Sequence, residues 1–538
     1  MRPRALTSLL FGATVILAGC ARHETPVAVG NREQVLHQSI TADPNDLDPQ
    51  LVSQNQWAAI SMALNEGLTN YDPVDLHPVP GVADSWDRSA DGLTYTFHLR
   101  QDARWSDGQP VVADDFVFSA HRILSPGFAG EFSYMFFVVK GAEDFNLGKS
   151  RDFSTVGIHA IDPHTLRYDL RQAAPYFLTL IAHWSWYPVP PATVLRYGAI
   201  DQPFTAWTRV GNFVGNGPFT LERWTPGDRI VVKRSPTYWN ARAVRLSEVD
   251  FHVIDNADSE ELAFRSGQLH IASAVPPSKI DGYRAMANSP LMVVGLFGTD
   301  SVSLNLKHPP LDDPRVRQAL SLAIDRSALA TQVLHGTATP ANSLVPPDAH
   351  GYRYAGQPQL QFDPGAARRL LALAGFPGGA GFPKLELSMP GHNRSAIAEA
   401  VQQMWFKELG LEIALKTEEN RVEIENVHHH RFDLGLNAWL GDYLDPMTFM
   451  DAYQSTSGHD DPSYESEAYN RLVVSAAGTA DVARRFARFQ LAESRFLTDL
   501  PVLPLFHNSV LHLVQPSVRG YAPNLMDMHP YTGIWLAP

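Results

Sequence analysis

The sequence predicts an α/β protein built as at least two lobes, and three observations carry that expectation. The chain has 538 residues, more than one hydrophobic core organises. Short alternating runs such as Tyr95-Thr96-Phe97-His98-Leu99 read as strands, and they interleave with amphipathic helical stretches. Loops rich in Pro and Gly fall near 71–81, 125–130, 186–191, 340–365 and 375–392, yet none reads as a flexible linker between consecutive domains. Lobes joined by several chain crossings are therefore expected.

Hydrophobic residues make up 44% of the chain and charged residues 19%, with 11 Trp and 27 Phe, which is the profile of a globular protein with large cores. Lys plus Arg total 43 against 57 Asp plus Glu, a formal net charge of −14. No basic block offers a stripe that would track phosphates, so nucleic acid is not an expected partner.

Taken in order, the first segment is an export signal. Arg2 and Arg4 precede an apolar run from Ala5 to Gly19, too short for the ~20 residues of a membrane-spanning helix. Leu17-Ala18-Gly19-Cys20 closely resembles the lipobox of bacterial lipoproteins, and the only Cys of the chain stands at that position. The resemblance implies cleavage before Cys20, acylation of its thiol and stable attachment to a membrane surface. Losing residues 1–19 makes the mature chain two units more negative, and a single Cys allows no internal disulfide. Residues 20–34 are small and polar and read as a tether.

The body contains no later membrane-length apolar stretch and no 20–50-residue repeat. Helix starts are marked by Asp313-Pro314, with Val316, Leu320 and Ile324 on one face, and by Asp363-Pro364, in a helix ending near Gly375. A third helix, from about Arg394 to Leu409, carries Ile397, Val401 and Trp405 at helical spacing. Trp105-Ser106-Asp107-Gly108 reads as a turn with Gly at a positive φ, leading into a helix that Asp114 can cap.

The order of these segments carries a family resemblance. Leu47-Asp48-Pro49, Asn65-Glu66-Gly67-Leu68, Pro80-Gly81-Val82-Ala83-Asp84-Ser85-Trp86, Tyr95 to Arg100, Trp105 to Gly108 and Ala113 to Ser119 come first. Asn216-Gly217-Pro218-Phe219, Arg234 to Trp239, Asp313 to Leu320 with Ile324-Asp325-Arg326, Trp439-Leu440-Gly441-Asp442-Tyr443 and Pro501 to Leu505 follow. Over roughly residues 35–538 the set resembles the oligopeptide- and dipeptide-binding solute receptors of ABC importers. That resemblance implies a two-lobed periplasmic-binding-protein (Venus flytrap) fold with an additional subdomain. The first lobe would take 35–60, 187–300 and 508–538, the subdomain 61–186 and the second lobe 301–507. Two crossings near 298–303 and 505–510 would form the hinge.

The resemblance also implies the site. Trp439 to Asp442 reproduces the spacing at which the family's Asp pairs with the ligand's α-ammonium. A cation entering a water-poor cleft needs such a fixed carboxylate. Ala438, Trp439 and Leu440, and Val52, Ser53 and Gln54 on the other lobe, align with segments whose backbones sandwich the peptide. Where some relatives keep an Arg for the peptide carboxylate, this chain has Leu436, and a second such position aligns loosely with Val427. Arg394, at a helix start, stands near a carboxylate-binding Arg of dipeptide binders, with an exposed helix Arg as the competing reading. Trp105, Asp107, Tyr238 and Trp239 read as structural.

His428-His429-His430 lacks ligands at zinc spacing and reads as a solvated surface turn. Gly148-Lys149-Ser150 lacks the rest of a P-loop, and no hydrolase elbow or zinc-protease helix is present. The expectation is a monomeric, lipid-anchored receptor of the cell envelope, without cofactor, metal or catalysis, that delivers short peptides to an ABC permease. The same fold binding a metal chelate, haem or a sugar is the alternative, and a peptide-processing or chaperone-like surface protein is a third.

Overall fold

A computed structural model describes residues 24–347, 351–354, 360–391, 394–455, 457 and 461–538. The export signal and Cys20 lie outside them. The segment expected to be a tether is instead helical. Thr25 caps the helix Pro26–Glu33 through a bond from the Ala28 amide, with Pro26 at its first position. The Val27 amide docks it on the Gly267 carbonyl at 3.0 Å. Gly30 is its only fully buried residue, so the docking rather than an apolar stripe holds it.

One sheet runs through the molecule. Among the described residues its strands follow the order Ile413–Glu418, Leu385–Pro390, Leu434–Leu440, Leu291–Leu304, Val502–Val514, Ile271–Ala272, Val35–Ile40, Glu248–Val253, Arg229–Arg234 and Phe219–Thr225, with Thr339–Pro340 joining Val502–Val514 from the side. The two long central strands, Leu291–Leu304 and Val502–Val514, pair antiparallel and belong to both halves of the sheet. Their register breaks between Gly295 and Thr299, and again between Asp300 and Ser301, opposite 504–509. Such breaks end regular pairing and let a strand bend.

A separate four-stranded antiparallel sheet, ordered Ala83–Arg88, Thr94–Leu99, Thr165–Asp169, Ile158–Asp162, forms the additional unit. Tyr95, Phe97 and Leu99 alternate inward, as the sequence predicts. Phe97 meets Tyr168 edge-on at 5.9 Å, and Phe136 stacks on Trp186 at 3.7 Å. The core of this unit continues into the sheet half around Leu434–Leu440, where Tyr176 stacks on Tyr443 at 5.3 Å.

The motif residues explain themselves as joints. Glu66 is buried and accepts from Tyr238 Oη (2.5 Å) and Trp239 Nε1 (2.6 Å), while Asn216 bonds both the amide and the carbonyl of Glu66. Arg122, fully buried, pairs with Asp48 at 2.5 Å and donates to Gln50, tying the helix Ala113–Leu124 to the N-terminal segment. That helix is capped by Asp115 rather than Asp114. Asp115 Oδ2 accepts from the Val112 amide and from Trp105 Nε1, both at 3.0 Å. Gly108 has φ +88°, as the turn requires. Asp313 and Asp363 cap Pro314–Leu322 and Pro364–Leu373, and buried Trp405 of Ser395–Leu409 donates to the Leu320 carbonyl at 2.9 Å.

Candidate functional site

The strand Leu434–Leu440 ends in a sharp exit toward the additional unit. On one side it pairs with Leu291–Leu304 along its whole length, with Gly298 opposite Leu440 and Asp300 opposite Ala438. On the other side its parallel ladder with Leu385–Pro390 covers only Leu434 and Gly435. The half carrying Ala438, Trp439 and Leu440 runs past that ladder. Leu440 is 37% exposed, an unusual state for a Leu ending a central strand.

Gly441 makes the exit possible. Its amide donates to the Phe297 carbonyl at 2.7 Å, and a Cβ there would stand 2.5 Å from the Phe297 ring. Asp442 follows. Its amide donates to Thr448 Oγ1 (3.1 Å), and its Oδ2 accepts from Tyr134 Oη (2.5 Å). Burial pushes the Asp442 carboxyl up to about 6; the Tyr134 bond opposes this and the nearby Glu131 charge adds to it. Asp445 is buried and holds Arg485 through two bonds of 2.6 and 2.7 Å, which fixes the segment behind Asp442.

Val52 is buried, and its carbonyl accepts from Trp184 Nε1 at 2.7 Å. Ser53 bonds Glu131, whose carboxyl is raised by its loss of hydration, against that bond. Exposed Gln54 accepts from Gln56 Nε2 at 2.7 Å. Ser53 with Glu131 and Tyr134 with Asp442 form two polar pairs near the strand exit, coupled through the Glu131 charge. Tyr134 and Glu131 were not indicated by any motif. Tyr134 and Asp442 stand 308 positions apart, and the short 3-10 helix Glu131–Val138 that presents them has no recognisable polar signature.

Arg394 is not an exposed helix Arg. It precedes Ser395–Leu409, is part-buried and forms an ion pair with Asp300, itself opposite Ala438. Leu436 and Val427 are both buried. His429 is exposed beside Glu425, and His430 bonds the Asp461 carbonyl. A cavity of about 270 Å³ opens between the halves, lined by Gln38 to Thr41, Leu296, Leu440 and Val510, with His512, Asp527 and His529 in its wall.

Comparison with known proteins gives this arrangement a family. Residues 77–461 match the model of the bacterial extracellular solute-binding proteins, family 5. The chain belongs to that family. It is 31% identical to the periplasmic oligopeptide-binding protein OppA of Escherichia coli (strain K12), covering 96% of this chain and 94% of the relative. It is 30% identical to the probable deoxycholate-binding periplasmic protein YgiS of the same strain, covering 95% and 94%. Haemophilus influenzae OppA in complex with RPPGFSPFR matches with a TM-score of 0.82 at 27% identity, covering 94% of this chain and 99% of that one. The two sheet halves are accordingly the two lobes of a family 5 periplasmic-binding-protein fold.

Proposed function

We propose that this chain is an envelope receptor that closes its two lobes over a short peptide and delivers it to the permease of an ABC importer. The observation that carries the reading is the placement of Asp442, a carboxylate largely removed from water where the lobes and the additional unit meet. A primary ammonium brought there replaces lost hydration with a fixed anion, and the neighbouring Glu131 adds to the attraction. The same two acids would repel an anionic sterol such as the deoxycholate for which one relative is named.

An extended ligand laid along Ala438, Trp439 and Leu440 on one lobe and Val52, Ser53 and Gln54 on the other would use backbone groups every peptide shares, so binding tolerates varied side chains. Arg394 spends part of its donor fork on Asp300 and retains donors for the ligand carboxylate. The hinge lies in the central strand pair, where register breaks twice. The first lobe takes 35–60, 187–300 and 508–538, the subdomain 61–186 and the second lobe 301–507. Cys20 carries the lipid that keeps this monomeric receptor at the membrane. Nothing in the site calls for turnover of the ligand.

Mass spectrometry of ligands that co-purify with the exported chain tests this reading. Peptides of two to five residues, absent from Asp442→Ala, are the expected result. Recovery of a bile acid, haem, a metal complex or a sugar would overturn it.

A further inference from the structure

The last segment of the chain returns across the lobe junction. The Phe297 amide donates to the Leu525 carbonyl at 2.6 Å, and Asn524 Nδ2 donates to the Pro73 carbonyl at 3.3 Å. Asn524 also braces its own turn, accepting from the Met526 and Met528 amides and donating to the Met528 carbonyl at 2.8 Å. Asp527 sits in this braced turn with φ +54°. Its Oδ1 receives two imidazoles, His512 Nε2 at 2.9 Å from the strand Val502–Val514 and His529 Nε2 at 2.8 Å. Both histidines are buried, at 3% and 7% exposure, and all three residues line the 270 Å³ cavity between the lobes.

We propose that His512, Asp527 and His529 form a binding site for a divalent transition-metal cation of the zinc type. One ligand atom from each lies within 4.8 Å of the other two, and two imidazoles with one carboxylate are the donor set of open zinc sites. With zinc about 2.0–2.1 Å from each donor, tetrahedral donors stand about 3.3 Å apart, so the triad opens by about half an ångström. Each neutral imidazole moves its proton from Nε2 to Nδ1. Both Nδ1 atoms are buried without a hydrogen-bond partner among the described residues, so no bond at Nδ1 is lost, and the two Nε2–H···Oδ1 bonds give way to the metal–ligand bonds. The cavity leaves the remaining coordination position to water or to an anionic group of a cleft ligand.

The two other clusters of this kind are poorer. Asp250, between His37 and His252, already holds the Arg229 guanidinium at 3.2 Å, which repels a second cation. Asp72, Asp75 and His77 lie at the surface, with Asp75 and His77 exposed. Among the described residues no Lys or Arg pairs with Asp527, whose ion partners are the two histidines.

Titration of the EDTA-treated full chain with Co²⁺, followed by Zn²⁺ competition, tests the site. One tight site with a visible ligand-field band is expected. Asp527→Asn, which keeps size and turn, and His529→Gln should weaken Zn²⁺ by more than the 10- to 100-fold that loss of an outer-shell partner costs, while His37→Gln leaves it unchanged. X-ray absorption on the Zn²⁺-loaded parent should read two imidazoles, which keeps the test independent of whether variants fold. Absence of the band, affinity indifferent to Asp527→Asn or lost in His37→Gln, or a shell without two imidazoles would overturn the site.

Discussion

In the proposed function, Asp442 would meet its ligand with a carboxyl whose affinity for protons has been raised by burial to about 6. An ammonium lowers that value on binding, so capture releases a proton below about pH 6 and none well above it. Peptide affinity should therefore be flat above pH 7 and fall about tenfold by pH 5, where only about a tenth of the carboxyl is ionised. Calorimetry in two buffers of different ionisation enthalpy reads both the affinity and the proton count; a pH-independent affinity would remove Asp442 from the ligand contact. The sign for stability is the reverse. A folded-state value above the unfolded one favours the protonated form, so this residue's contribution is full below about pH 4 and is lost as pH rises through about 6. Ligand relieves that cost. Asp442 was singled out by a family resemblance in its spacing to Trp439, whereas no motif marked Tyr134 and Glu131, because they come near Asp442 only when three separate stretches of chain fold together.

The element that aims Asp442 is the segment 441–450, and it is held from both sides. Gly441 allows the close approach to Phe297, Thr448 receives the Asp442 amide, and Asp445 locks onto Arg485 of the helix Val482–Asp499. The side chains of Arg485 and Asp445 are 3% and 9% exposed, so Arg485→Ala strands a buried charge. That substitution should cost about 3–5 kcal/mol of stability and weaken peptide binding without touching the ligand, measured by chemical denaturation and by calorimetry on the folded fraction. Wild-type stability in this variant would mean that the pair is dispensable and the segment is held elsewhere. Helices opened by Asp-Pro were legible because their capping is local. The helix Pro26–Glu33 was misread as a tether because its hold on the lobe, through Gly267 and a close approach of Gly30 to Val35 and His270, is tertiary. The Asp114 cap failed for a related reason. The helix begins two residues earlier than an Asp114 cap requires, with Val112 at its N-cap, and Trp105 and the Val112 amide both draw Asp115 inward.

For the whole molecule, two long strands run through both halves of the sheet, so the proposed closure would be a bend at their register breaks rather than a separation of domains. The additional unit shares its core with the second lobe through Tyr176 and Tyr443, and Tyr134 reaches Asp442 across the same junction. Ordered family segments made this architecture legible, since each is a joint whose residues sit at fixed places along the chain, as Glu66 with Asn216 and Arg122 with Asp48 illustrate. The histidine cavity between the lobes was not legible, because His512 and the 527–529 turn converge only after the C-terminal segment crosses the junction. In the proposed function a ligand ammonium is held by Asp442. The most direct measurement is a calorimetric cycle that pairs a short peptide and its N-acetylated form with the parent and Asp442→Asn. N-acetylation should weaken binding to the parent by on the order of 3 kcal/mol, more than a hundredfold, and change little in Asp442→Asn. Equal affinity of the parent for the free and the acetylated peptide would contradict it.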